Sequence, residues 1–215
     1  MSAITVLCSD AAHPVNDAIV RWVSARQGAH AITLARKVAE VTEGDLLFLI
    51  SCAELVRPSV RERFLHTLVI HASDLPTGRG WSPHIWSVLD GDDHLTVALL
   101  TADDPVDSGA VFKKVRIELD GTELYDEINE KLFDAELRLM DWAIAHCDDH
   151  PPTPQAGGPT FWRRRTPDDG RIDVDKSIAE VFEQLRVADP LRYPAYCDYR
   201  GQRYRIRLDK MGPVT

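Results

Sequence analysis

No apolar run in the chain approaches the ~20 residues that a membrane-crossing helix needs, so no membrane association is expected. No G-x-G-x-x-G turn opens a helix, which argues against a bound NAD or FAD. Cysteine is scarce: Cys8, Cys52, Cys147 and Cys197 are scattered over 215 residues with no C-x-x-C spacing. Buried, reduced thiols fit that pattern better than a disulfide framework or a zinc cluster. Positive charge is in deficit, with 25 Lys and Arg against 34 Asp and Glu and a net charge of −9. Nonspecific nucleic-acid binding depends on neutralising phosphates, so no nucleic-acid partner is expected; a local basic patch stays compatible with that balance. No leader-like segment precedes the first strand pattern, since Met1-Ser2-Ala3 runs directly into Ile4-Thr5-Val6-Leu7-Cys8. A cytoplasmic protein is the expectation. There are no repeats and no low-complexity tract.

What is present is ordinary for a globular chain, 44% hydrophobic and 27% charged, with length for one cored domain and a small appendage. Ile4–Cys8 reads as a strand and Pro14–Gln27 as a helix stopping near Gly28. Leu46–Ser51 is a continuous apolar run suited to a buried parallel strand. A short helix over Pro58–Leu65, a strand over Thr67–His71, a helix over Ser82–Leu89 and a strand over Leu95–Leu100 follow. This alternation predicts an α/β fold with a mostly parallel sheet. Val111–Leu119 alternates as a strand. Leu124, Ile128, Leu132, Ala135, Leu139 and Trp142 mark a long helix over Thr122–His146. His146 to Pro159 holds Pro151, Pro152, Pro154, Gly157 and Gly158, a linker. A helix over Ser177–Val187 and a hairpin, Ala195–Tyr199 and Tyr204–Leu208 around Arg200-Gly201, complete a small α+β extension. The division predicted is residues 1–150 and 151–215.

The most informative stretch is Val69 to Trp86, V-I-H-A-S-D-L-P-T-G-R-G-W-S-P-H-I-W. An apolar run ends on His71, and a Gly/Pro-rich turn follows. That places an imidazole at the carboxyl end of a strand, where open α/β sheets form ligand crevices. Downstream, Asp103-Asp104-Pro105-Val106-Asp107-Ser108-Gly109 offers a carboxylate on a turn. A positioned histidine with a carboxylate partner is the minimum equipment for moving protons in a group transfer. Taken alone, His71 reads as a structural strand-end histidine and Asp107 as ordinary turn chemistry; the ordered motif around them tips both toward catalysis.

His71, Ser73-Asp74-Leu75-Pro76, Arg79-Gly80 and Asp107-Ser108-Gly109 resemble, in order and separation, the signature of the N10-formyltetrahydrofolate-dependent formyltransferases. That signature is Asn-x-His, Ser-x-Leu-Pro, Arg-Gly or Lys-Gly, then Asp-x-Gly. The family includes the glycinamide ribonucleotide, methionyl-tRNA and sugar N-formyltransferases. The resemblance covers roughly Leu46 to His146. It implies a Rossmann-like formyltransferase fold, N10-formyltetrahydrofolate as donor, and His71 and Asp107 as catalytic residues. It also implies folate contacts from the turn Ala53, Glu54, Leu55 and Val56 and from Asp104. Homodimers occur in the family, with no interface legible here. One position departs: the family's Asn falls on Val69, which has no hydrogen-bond donor. That Asn helps hold the formyl oxygen, and losing one such donor elsewhere costs about 10²–10³ in rate. Protonated His71 and a backbone N–H of the following turn are the expected substitutes.

Arg79 and Gly80 are candidates for the acceptor side, as are Trp81 and Trp162. An Arg satisfying loop carbonyls and aromatics packed in a core are the bland alternatives. Arg163-Arg164-Arg165 reads first as a solvated basic stretch and second as a phosphate clamp. His146-Cys147-Asp148-Asp149-His150 is too tightly spaced for a zinc site, and no metal is expected. Methionyl-tRNA formyltransferases carry a substantial C-terminal domain for tRNA, so the short 151–215 segment and the acidic balance disfavour that acceptor. The tail, with Pro167-Asp168-Asp169-Gly170-Arg171-Ile172-Asp173 and Tyr193-Pro194-Ala195, resembles that of sugar N-formyltransferases. The expected reaction is transfer of a formyl group to the amine of a nucleotide-linked deoxyaminosugar. The alternatives are another small amine such as a siderophore precursor, hydrolysis of formyl-folate, or a folate-binding protein with impaired catalysis.

Overall fold

Side-chain alternation along six strands builds the central layer. The computed structural model describes residues 1–213. The first unit is β1 (Ala3–Leu7), helix α1 (Val15–Arg26) and β2 (Ala31–Ala35); β3 (Gly44–Leu49), a single helical turn α2 (Pro58–Arg61) and β4 (Phe64–His71) follow. A two-residue strand β5 (Arg79–Gly80), helix α3 (Pro83–Leu89), β6 (His94–Thr101), β7 (Val111–Glu118) and the long helix α4 (Tyr125–His146) complete the main body. The sheet order is β2-β1-β3-β4-β6-β7. The first four strands are parallel, whereas β6 runs antiparallel to β4 and β7 antiparallel to β6.

After β4 the chain passes through the β5 turn and α3 and re-enters the sheet from the end at which it left, so β6 runs back along β4. The shorter connection between β3 and β4, with only the single turn α2, crosses to the opposite end and keeps those strands parallel, so helix length alone does not set strand direction. The expected helix over Pro58–Leu65 stops at Arg61, because Phe64 pairs with Gly44 and buries its ring as the first residue of β4.

Strand periodicity of two sorts the core onto the two sheet faces. Ile4, Val6, Leu46, Phe48, Leu68, Ile70, Val97 and Leu99 face α1, α3 and α4 in the large cluster. Leu7, Leu47, Leu49, Leu75, Ala98 and Leu100 belong to two smaller clusters on the opposite face, with Val69 packed against both. His71 shares the face of Val69 by the same alternation. That face is covered by α2 and by loops rather than by a long helix.

The tail adds β8 (Phe161–Trp162), helix α5 (Ile178–Arg186) and the hairpin β9 (Ala195–Tyr199) and β10 (Gln202–Ile206) around its own small core of Ile172, Val181, Leu185 and Ala195. It is tied to the main body by buried polar contacts. Arg186, 2% exposed, donates to the Glu123 carbonyl at 3.1 Å, and Tyr125 Oη donates to Asp189 at 2.8 Å. Strand β8 pairs in parallel with β5. The two-residue β5 and β8 and the edge strand β2 carry too little periodicity to be visible in the sequence.

Candidate active site

His71 is the last residue of β4 and Asp107 lies on the loop that joins β6 to β7. Both side chains are buried, at 9% and 7% exposure, and Nδ1 of His71 stands 3.6 Å from Oδ1 of Asp107. On the other side of the ring, Nε2 lies 3.0 Å from the Gly78 carbonyl. A carbonyl can only accept, so Nε2 carries the hydrogen of that bond and Nδ1 faces the carboxylate. Asp107 Oδ2 accepts the backbone N–H of Gly80 at 3.0 Å. The turn that follows the histidine therefore holds both members of the pair.

Two glycines are needed for that arrangement. Gly80 has φ +103°, and a Cβ there would lie 2.5 Å from the Trp162 carbonyl oxygen. Gly109 sits so close to β6 that a Cβ would meet the Thr101 carbonyl oxygen at 1.9 Å. The Arg-Gly and Asp-x-Gly pairs of the motif thus carry glycine because backbones approach there, not because the chain must be flexible.

The other expected residues are placed as follows. Arg79 donates Nη2–H to Gln155 Oε1 at 2.6 Å, and its Nε is buried without a partner among the described residues. Trp81 is 43% exposed and lies under the Arg164 guanidinium, 4.8 Å from the ring centroid. Trp162 stacks on Trp86 at 5.6 Å between centroids and packs against Gly78. The Ala53–Val56 turn follows β3, the neighbour of β4, so it lies at the same end of the sheet as His71. Within it, Ala53 donates its N–H to Ser9 Oγ at 2.7 Å, Glu54 accepts the Val38 N–H at 3.1 Å, Leu55 is exposed and Val56 is buried in the core. Asp104 is ion-paired with Arg61 rather than joined to the His71–Asp107 pair. Val69 sits among apolar neighbours.

Three groups around the pair escaped sequence reasoning, Gln155, His84 and His13, and two more, Ser73 and Arg165, were read only as part of a motif or of a basic run. The Ser73 hydroxyl is buried with no hydrogen-bond partner among the described residues, and a Cβ on Gly78 would lie 3.1 Å from Ser73 Cβ. Gln155 reaches in from the tail. Burial pushes the His84 imidazole down to about 3, helped by the positive fields of His13, Arg165 and His71. Burial and nearby Arg192 push His13 to about 4, and its Nδ1 accepts the Val15 N–H at 3.2 Å. Arg165 is half-buried; among the described residues its Nε has no partner and its guanidinium reaches only the Asp169 carbonyl, at 3.4 Å. The Asp169 carboxylate is taken by Arg163 and Thr166. Ser73 carried a sequence signal through the Ser-x-Leu-Pro pattern and Arg165 through the Arg163-Arg164-Arg165 run; the others are brought in by tertiary packing. Among the described residues no three metal-ligating groups converge, and no helix is long and apolar enough to cross a membrane.

Comparison with known proteins fits this geometry. Residues 7–144 match the family model described as Formyl transferase. A methionyl-tRNA formyltransferase from Gluconobacter oxydans is 34% identical over 126 residues, which is 59% of this chain and 41% of that protein. The fold is shared with HypX from Aquifex aeolicus in complex with tetrahydrofolic acid, at a TM-score of 0.75 and 18% identity, over 94% of this chain and 36% of that one. It is shared also with a sugar N-formyltransferase from a Shewanella species, at a TM-score of 0.74 and 14% identity, over 99% of both chains. The chain spans about two fifths of the length of the methionyl-tRNA formyltransferases it matches. With well over half of its residues matched, the chain belongs to the formyl transferase family.

Proposed function

We propose that this protein transfers the formyl group of N10-formyltetrahydrofolate to the primary amine of a nucleotide-linked deoxyaminosugar. Residues 1–150 carry the reaction, and 151–215 complete its acceptor side. The observation that carries the reading is the buried His71–Asp107 pair, 3.6 Å apart and held by one turn.

The residues present fit a formyl-folate donor. The turn after β3 and the turn after β4 lie side by side at one end of the sheet, and the buried Ser73 hydroxyl lacks a partner. The donor supplies the formyl carbon, and tetrahydrofolate leaves as the new C–N bond forms. The amine must shed one proton as it attacks, and the leaving nitrogen must gain one. At 3.6 Å, His71 and Asp107 stand beyond N–H···O contact yet too close for an amine or a water to sit between them, so the acceptor amine approaches from beside the pair as the proton is handed on. Asp107 keeps its direction through the Gly80 N–H. Val69 offers no donor to the formyl oxygen; the Ser73 hydroxyl takes that place.

Support for an anionic acceptor comes from cations that lack carboxylate partners. Arg165 and Arg79 each have a buried Nε without a partner, and a desolvated guanidinium favours a phosphate. Trp81, half exposed beside Arg164, offers a face for a base or sugar ring.

A second reading has a specific motive. Val69 removes the family's donor, so the chain could bind folate without turning over. A panel of thymidine- and uridine-diphosphate aminosugars, methionyl-tRNA and N-hydroxyornithine, each supplied with N10-formyltetrahydrofolate and followed by mass gain of 28 Da, separates the readings. Formylation of a nucleotide sugar supports the proposal. Formylation of another acceptor alone overturns the acceptor, and folate binding with no product favours the second reading.

A further inference from the structure

Gln155 lies on the segment between α4 and β8, and its one amide reaches three places. Nε2 donates to the Asp107 carbonyl at 2.8 Å and to the Gly109 carbonyl at 2.9 Å, while Oε1 accepts from Arg79 Nη2 at 2.6 Å. Both amide hydrogens are thus in use. The side chain is held at its root as well. Two residues earlier, Thr153 and Val111 exchange backbone hydrogen bonds at 2.8 Å in each direction.

Asp107 needs such a clamp. Its φ is +61°, a left-handed conformation that costs a non-glycine residue about 1 kcal/mol or more. The Gly80 N–H holds its carboxylate and Gln155 holds its carbonyl, so the residue is gripped at both ends. The second bond, to the Gly109 carbonyl, fixes the far side of the same turn. On the other side, the only hydrogen bond of the Arg79 guanidinium among the described residues is this neutral amide, and no carboxylate pairs with it. An anionic group that draws on Arg79 therefore pulls on Asp107 through a single side chain.

We propose that Gln155 is a positioning residue for the formyl-transfer site, tying the Arg79 cation to Asp107 so that the acceptor side and the proton-handling side of the cleft share one geometry. The inference rests on the reaction proposed above, and its test is built to fail separately from it.

Two variants carry the test. Gln155→Met removes all three bonds at nearly constant volume, and Gln155→Glu keeps an oxygen for Arg79 but sets a carboxylate against two carbonyls. The first readout is the exchange rate of the Gly80 amide hydrogen, which needs no acceptor and so holds even if no tested amine is formylated. Loosening of Asp107 should speed Gly80 exchange about tenfold or more in either variant, with core amides of β1 and β3 unchanged. The second is kinetic: kcat falls about 10–100-fold, binding of 5-formyltetrahydrofolate stays within about threefold, and Gln155→Met adds nothing further in an Asp107→Asn background, as residues acting through one another do. A Gly80 amide that exchanges at the wild-type rate in both variants overturns the proposal. So does a Gln155→Met loss that multiplies in full on Asp107→Asn, because a merely structural residue would lower activity independently of the acid it touches. Wild-type protein that formylates nothing while Gly80 exchange responds as described would retire the reaction and leave the clamp standing.

Discussion

Nδ1 of His71 and Oδ1 of Asp107 face each other across 3.6 Å, just beyond hydrogen-bond contact and both shielded from solvent. A carboxylate at this distance steers charge and protons without locking the ring. Asp107→Asn preserves shape and the Gly80 contact through its amide oxygen but removes the negative charge. Turnover should fall by about 10²–10³-fold with donor-analogue affinity unchanged, measured by single-turnover kinetics and titration of 5-formyltetrahydrofolate.

The missing donor at Val69 makes Ser73 testable. If its hydroxyl holds the formyl oxygen, Ser73→Ala lowers kcat by about 10–100-fold, a smaller loss than for a fully preorganised donor, and leaves KM for the donor within a few-fold. Val69→Asn, which restores the family residue, should raise kcat and partly rescue Ser73→Ala. The apolar setting of Val69 will cost that variant about 1–3 kcal/mol of stability, readable as a lowered Tm. A Ser73→Ala enzyme with wild-type kcat removes the hydroxyl from the mechanism.

Gly109→Ala asks whether close backbone contact shapes the loop. The added methyl carbon would meet the Thr101 carbonyl oxygen at 1.9 Å, so strands and loop must part. The expected cost is about 3 kcal/mol, or roughly 6–12 °C in Tm for a chain of this size, with activity lost more steeply than stability. An unchanged melting curve would show that the loop relaxes freely.

Glu136 lies on α4 inside the large core, 6% exposed, with Oε2 unpartnered. Burial pushes its carboxyl up to about 8. The folded chain then holds this proton at pH values where the unfolded chain has released it. Stability contributed here is complete below the ordinary carboxylate range of about 4.3, is lost as pH rises through the window up to about 8, and is flat beyond. Glu136→Gln, which cannot ionise, should gain Tm relative to the wild type as pH rises from 5 to 9. Parallel Tm curves for the two proteins across that range would contradict the assignment.

Much of the site was legible because its motif is local. His71, the Ser-Asp-Leu-Pro turn, Arg79-Gly80 and Asp107-Ser108-Gly109 are contiguous pieces whose glycines answer to backbone approach. The long helix and the buried strand Gly44–Leu49 were visible from periodicity, within a few residues at their ends. The reversal of β6 was not, since strand direction is set by how the connecting segment packs rather than by local periodicity: the shorter α2 connection stays parallel and the α3 connection turns back. Gln155, His84 and His13 were hidden for another reason. Each comes from a separate segment, and nothing along the chain marks a glutamine that will bridge two loops or a histidine that burial will hold neutral; Arg165 was visible in its basic run, but not that its guanidinium would go without a carboxylate.

The most direct test is transfer of labelled formyl from N10-[14C]formyltetrahydrofolate to thymidine- or uridine-diphosphate 4-amino-4-deoxysugars by the wild type and by His71→Ala. The account predicts label on the sugar amine with the wild type, and a loss of at least about 10³-fold with His71→Ala while 5-formyltetrahydrofolate still binds. Label transferred at the wild-type rate by His71→Ala would contradict it.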